Sequence, residues 1–215
     1  MDTTMFDLIP KIKTKLHIVM IIDNSYVFDA KATADLKEQF TFLDTVIFQK
    51  AYREYVHIDF IHFEGGEVKT FNNQSKGSLV DLLDHPGLPK FGPALDIALR
   101  QLDEVIQAKS PIKPWLFMLH HGYKVGDISW DKLVKLVTEK RIFYRGFILN
   151  DSIKINAILD GVTPLPFAKV KAGKMNDMFS FIFRLAQQRV NSPEDLGVTL
   201  PTREAIALWS EVPNK

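Results

Sequence analysis

The run Leu16 to Asp23, LHIVMIID, constrains this chain more than any other stretch. It is apolar almost throughout, rich in branched side chains, and closes on a carboxylate. It does not alternate in a way that would leave one face in water. Such a run marks a central strand buried on both faces, and strands of that kind belong to parallel sheets covered by helices on each side. The next segment agrees: Leu36, Phe40, Leu43, Ile47 and Ala51 recur at intervals of three and four, the spacing of an amphipathic helix.

Strand and helix signals keep alternating. His57 to Glu64 reads as a second strand, and Gly65-Gly66 turns it back into Glu67 to Asn72, which predicts an antiparallel hairpin at one sheet edge. A short helix is expected near Ser78 to Leu83. DHPGLPKFGP then reads as a loop, and Pro93 suits the first turn of a helix carrying Leu95, Ala98, Leu99, Leu102, Val105 and Ile106 on one face. Trp115 to Leu119 is another buried strand. Ser129 is placed to cap the helix of Trp130, Leu133, Leu136 and Val137, and Ile142 to Asn150 reads as a fifth strand. Pro164 to Val170 is expected as a last edge strand, because only an edge tolerates its two prolines. Met175 to Val190 is an apolar final helix. The order predicts a three-layer α/β fold: a mostly parallel central sheet with one antiparallel edge strand and helices on both faces.

With 215 residues, 46% of them hydrophobic and 16 of them Phe, the chain can build a large core without crosslinks. No interior stretch reads as a linker, so residues 1–192 are expected to form one domain. Residues 193–215 are expected to be a tail docked on it or on a partner. Lys plus Arg (27) nearly cancel Asp plus Glu (26), which removes the basic footprint of a nucleic-acid binder. The absence of Cys excludes a disulfide scaffold and thiolate-ligated zinc. The first residues carry no export signal and the longest apolar run is too short to cross a bilayer, so a cytoplasmic protein is expected, away from the membrane.

In an open parallel sheet, ligands bind beyond the carboxyl ends of the strands, where strand order reverses. The loops to weigh are Asp23 to Phe28, Pro89 to Pro93 and His120 to Asp127. The first has no glycine to admit a pyrophosphate, and the chain has no GxxxxGK[ST], so no nucleotide cofactor and no small-molecule substrate are expected.

Four landmarks in order, IVMIIDNSYVF, IDFIHFEGG, FGPALDIAL and PWLFMLHHG, make residues 14 to 190 resemble the von Willebrand factor A (vWA) domains, and within them the small bacterial proteins of the tellurite-resistance TerY type. The resemblance implies a metal-ion-dependent adhesion site for Mg²⁺, built from D-x-S-x-S on the first loop, a Thr on the second and an Asp on the third. Asp23 and Ser25 match the first two positions. The others fall on Val27, Pro93 and His121. Mg²⁺ demands hard oxygen ligands in a near-octahedral shell; Val and Pro offer no side-chain oxygen, and imidazole suits softer ions. The site is thus expected to be degenerate, with no resident metal and no cofactor.

Asp23 and Ser25 also suit a simpler role, satisfying free N–H groups at a helix start. Ser25 as a nucleophile lacks the G-x-S-x-G elbow and would need His120 or His121 as base. Asp23 with either histidine makes only two zinc ligands. His57, Asp59 and His62 suggest a metal motif, but strand alternation turns His62 to the opposite face. The Phe cluster FSFIFR reads as core packing. The expectation that results is a non-catalytic adaptor that binds another protein through Asp23, Ser25, Tyr26, Phe28, Phe91, His121, Tyr123 and Lys124. The resemblance sets it in a bacterial stress or tellurite-resistance system. The rival is a metal-assisted or Ser-dependent hydrolase using Asp23, Ser25 and His121.

Overall fold

In the computed structural model the residues described are 15–25, 30–75, 77–120, 128–148, 165, 167–171, 173–191 and 208–212. Leu16–Ile22 forms β1, and its even and odd positions are buried alike, apart from the half-buried His17. Ala30–Ile47 is α1, Lys50–Tyr55 is α2 and Val56–Glu64 is β2. Phe40, Leu43 and Ile47 of α1 are buried as their spacing predicts. Ala51 is not: the chain breaks at Phe48-Gln49, α2 restarts the helical phase, and Tyr52 takes the buried position.

Gly65, at φ 58°, turns β2 back into β3, Glu67–Asn72, which pairs antiparallel with it. The left-handed conformation there is one that a side chain would oppose. The remaining elements are α3 (Asp81–Asp84), α4 (Phe91–Gln107), β4 (Trp115–His120), α5 (Asp131–Thr138), β5 (Phe143–Ile148), β6 (Phe167–Val170), α6 (Met175–Asn191) and β7 (Trp209–Val212). The cap of α5 is Trp130, with no side-chain cap bond, so Ser129 does not fill the role its sequence position suggests.

Among the described residues the sheet has seven strands in the order β3-β2-β1-β4-β5-β6-β7. Strands β2, β1, β4, β5 and β6 run parallel, and β3 is the expected antiparallel edge. The far edge carries a second antiparallel strand: β7 pairs with β6 from Phe167↔Val212 to Val170↔Trp209. The prolines before Phe167 therefore precede a covered strand rather than an edge. Even-numbered residues of β1 and β2 pack with α1, α2 and α6, and the odd-numbered Val19, Ile21, Ile61 and Phe63 pack with α4 and α5. That is the three-layer architecture predicted. In α6, Phe179, Phe181 and Phe183 are all buried, which confirms the cluster as core. No helix among the described residues is long and apolar enough to cross a membrane.

Candidate functional site

Strand order reverses between β1 and β4: the chain leaves β1 toward β2 on one side and returns later to β4 on the other. The ends of these two strands meet directly, since the Asp23 N–H donates to the Leu119 carbonyl at 2.9 Å. Asp23, Asn24 and Ser25 follow β1 here, and all three are buried. The Asp23 carboxylate turns back on its own loop, where Oδ1 accepts the Ser25 N–H at 3.1 Å. It therefore caps the turn that leaves the strand, a local role of the kind short polar side chains adopt at loop starts.

Asn24 is the residue of this loop that sequence reasoning passed over. Its Oδ1 accepts the Phe63 N–H at 2.9 Å, and its Nδ2 donates to the carbonyls of Phe63 and Leu82, each at 2.8 Å. One buried carboxamide thus ties the end of β1 to β2 and to α3. The side-chain hydroxyl of Ser25 is buried with no hydrogen-bond partner among the described residues.

Phe91 departs from its expected place. The loop DHPGLPKFGP ends at Lys90, three residues earlier than it reads, so Phe91 opens α4 and is only 2% exposed. Its ring packs edge-on against Phe63 at 5.1 Å and at a tilt against His120 at 4.9 Å. It is core and cannot serve as a surface contact. Asp23 and Ser25, buried at 1% and 2%, are corrected in the same way: neither offers a partner appreciable surface. Pro93 lies exposed in the first turn of α4. Tyr26, Val27, Phe28, His121, Tyr123 and Lys124 lie outside the described residues.

These observations also test the magnesium site that the motif resemblance implies. Pro93 has no oxygen to give, and one oxygen of the Asp23 carboxylate already holds the Ser25 amide. A near-octahedral Mg²⁺ needs more oxygen donors than Asp23 and Ser25 supply. The described residues do not fit the ion.

His120 ends β4 on the α4 face, with the Phe91 ring 4.9 Å and the Phe167 ring 6.4 Å away. Burial pushes its imidazole down to about 4, so it is neutral at physiological pH.

On the outer side of β2, His62 faces the α1 layer and meets Phe71 edge-on at 5.8 Å. It lines a cavity of about 170 Å³ together with Glu64, Ser78, Asp81 and His85. His57 and Asp59 point to the opposite face, as strand alternation requires, so the three never converge. Asp59 instead meets His57 and a residue from the neighbouring strand, His17. The signal was present in the sequence: LHIV and VHID both begin apolar-His-Ile. Aligning the two strands on that start pairs His17 with His57, which is the register observed.

No family model matches the chain, and no curated protein matches it. Among solved structures it is similar to a von Willebrand factor type A protein from Catenulispora acidiphila, at 14% sequence identity and a TM-score of 0.52. The match covers 80% of this chain but 43% of that one, so the chain spans less than half the length of its structural neighbour. At that identity the likeness speaks to architecture: the chain has a vWA-like α/β fold.

Proposed function

We propose that this chain is a non-catalytic protein-binding module, in which the loops at the carboxyl edge of the vWA-like sheet hold a partner protein without magnesium. The observation that carries this reading is the state of the Mg²⁺ positions. Pro93 stands where an oxygen ligand is needed, and one oxygen of the Asp23 carboxylate holds the Ser25 amide. A rigid sheet with both faces covered leaves its end loops as the natural recognition surface.

With Phe91, Asp23 and Ser25 buried, the contacts fall to Tyr26, Phe28, His121, Tyr123 and Lys124. Aromatic and basic side chains of this kind make interface hot spots. The setting, a cytoplasmic bacterial stress or tellurite-resistance-type system, rests on the resemblance of the sequence motifs. The test is affinity capture from the native host, followed by mass spectrometry, with wild type and the pair variant Tyr123→Ala/Lys124→Ala. A partner held equally in magnesium-free and magnesium-containing buffer, and lost in the variant, supports the module. Retention that requires added Mg²⁺ sinks it.

A further inference from the structure

We propose that His17, His57 and Asp59 form a binding site for a divalent transition-metal ion of the Zn²⁺ class, held by the two imidazole Nε2 atoms and an Asp59 carboxylate oxygen. The site stands apart from the carboxyl-edge loops and does not depend on the function proposed for them. His17 and His57 are the second residues of β1 and β2, at the amino ends of these parallel strands. Six residues of extended chain, about 20 Å at ~3.3 Å per residue, separate His17 from Asp23.

Backbone pairing places the donors. His17 and His57 are register partners across β1 and β2, and Asp59 follows two residues later on the same face. The imidazole rings lie 4.5 Å apart. Each Nε2 reaches a different oxygen of one carboxylate, His17 to Oδ2 at 2.5 Å and His57 to Oδ1 at 3.0 Å. All three ligand atoms lie within 4.8 Å of one another. A tetrahedral Zn²⁺ with bonds of about 2.0–2.2 Å holds its ligands roughly 3.3 Å apart. Small rotations of the two rings bring the donors to that spacing with the strands unmoved.

The donor types select the ion. Two neutral imidazoles and one carboxylate suit Zn²⁺, Co²⁺ or Ni²⁺, whereas Mg²⁺ and Ca²⁺ demand an oxygen shell that this site lacks. The side chains are 20%, 24% and 11% exposed. That is enough access for an ion to enter and for water to complete its coordination. Without the ion, each Nε2 carries a proton toward the carboxylate. With it, each neutral ring binds through Nε2 and its single hydrogen moves to Nδ1, so no proton is lost from the ring.

Chelator-treated, dialysed full-length protein titrated with Zn²⁺ in a calorimeter tests the site, and a parallel Co²⁺ titration is followed by visible absorption. One ion per chain at micromolar affinity or better is expected, with Co²⁺ absorption bands of low-symmetry nitrogen and oxygen coordination. His17→Ala and the conservative Asp59→Asn should each weaken Zn²⁺ binding by about tenfold or more, while His85→Ala, outside the cluster, should not. Circular dichroism establishes that each variant is folded. If a variant fails to fold, protection of His17 and His57 in the wild type from diethylpyrocarbonate by Zn²⁺, and not by Mg²⁺, decides in its place. Absence of stoichiometric binding by folded wild type, binding unchanged in His17→Ala, or unprotected histidines would overturn the site.

Discussion

The Asn24 carboxamide binds the backbone of Phe63 as another strand would, accepting its N–H at 2.9 Å and donating to its carbonyl at 2.8 Å. Asn24 follows β1 and Phe63 is the penultimate residue of β2, so this two-way bond continues the pairing of the strands past the last β1 residue. The same Nδ2 reaches the Leu82 carbonyl in α3. All of this happens where Asn24 is 1% exposed.

Asn24→Ala should therefore be among the more destabilising single substitutions in the chain. It strands a backbone N–H and two carbonyls in a buried setting, at about 1–3 kcal/mol for each group left unsatisfied. We expect a loss of roughly 3 kcal/mol, read as a lower urea midpoint at unchanged slope. Asn24→Asp keeps the acceptor but turns a carboxylate toward two carbonyls, and should be no better than alanine. A variant within 0.5 kcal/mol of wild type, by the ~0.5 kcal/mol scale of neutral surface changes, would contradict the clamp.

Gly146 of β5 lies directly under Phe167 of β6: a Cβ built at Gly146 would stand 2.5 Å from the Phe167 ring. Gly146→Ala should destabilise the protein by about 1–3 kcal/mol through overpacking. Trimming the ring should relieve the clash, so Gly146→Ala combined with Phe167→Leu should cost less than the sum of the two single changes. A thermodynamic double-mutant cycle measures that coupling. Strict additivity would show that the ring moves aside freely.

The layers of the fold were legible because strands buried on both faces leave continuous apolar runs, and helices on a sheet leave a regular stripe. β1, β2, β4, α4 and α6 all carry one of these marks. What escaped depended on tertiary detail. Four residues, WSEV, cannot announce an edge strand, and β7 exists because β6 offers it a partner. Phe91 was misplaced because the Pro- and Gly-rich stretch before it reads as loop to its end, while the helix begins two residues ahead of Pro93. His17 was overlooked since its chemistry needs His57 and Asp59, 40 and more residues away. Only strand register brings them together. Asp23 and Ser25 were located correctly at the strand end, but their burial follows from the packing around the loop.

The Asp59 carboxyl makes acid stability a probe of the amino-end cluster. Burial alone would raise it, but hydrogen bonds from His17 and His57, with the charge these rings carry when protonated, outweigh burial and hold it at about 2. A carboxyl lowered in the folded state stabilises the fold above its ordinary value of 3.8, and that contribution disappears as pH falls through about 2. In metal-free protein, Asp59→Asn should thus be less stable than wild type at neutral pH, with the gap closing between pH 3.8 and about 2. Urea midpoints across that interval check it. A gap that stays constant would mean that folding does not lower the Asp59 carboxyl.

His120 acts in a different pH window and through the opposite physics. Its imidazole is buried among Phe91 and Phe167, and burial lowers it from 6.5 to about 4. The unfolded chain therefore takes up a proton at this residue before the folded one does. Stability should fall as pH drops from 6.5 toward 4 and stop responding to this group below that. The full effect is on the order of 3 kcal/mol, at about 1.4 kcal/mol per pH unit of separation. Burial lowers His62 as well, so it contributes in the same direction and the wild-type slope includes both rings. His120→Phe keeps an aromatic ring beside Phe91 and Phe167, but one that cannot take up a proton. It should make the curve between pH 6.5 and 4 shallower than wild type. Chemical denaturation of the two single variants and the double variant separates the shares, and a His120→Phe curve as steep as wild type would show that this imidazole is protonated in the folded core.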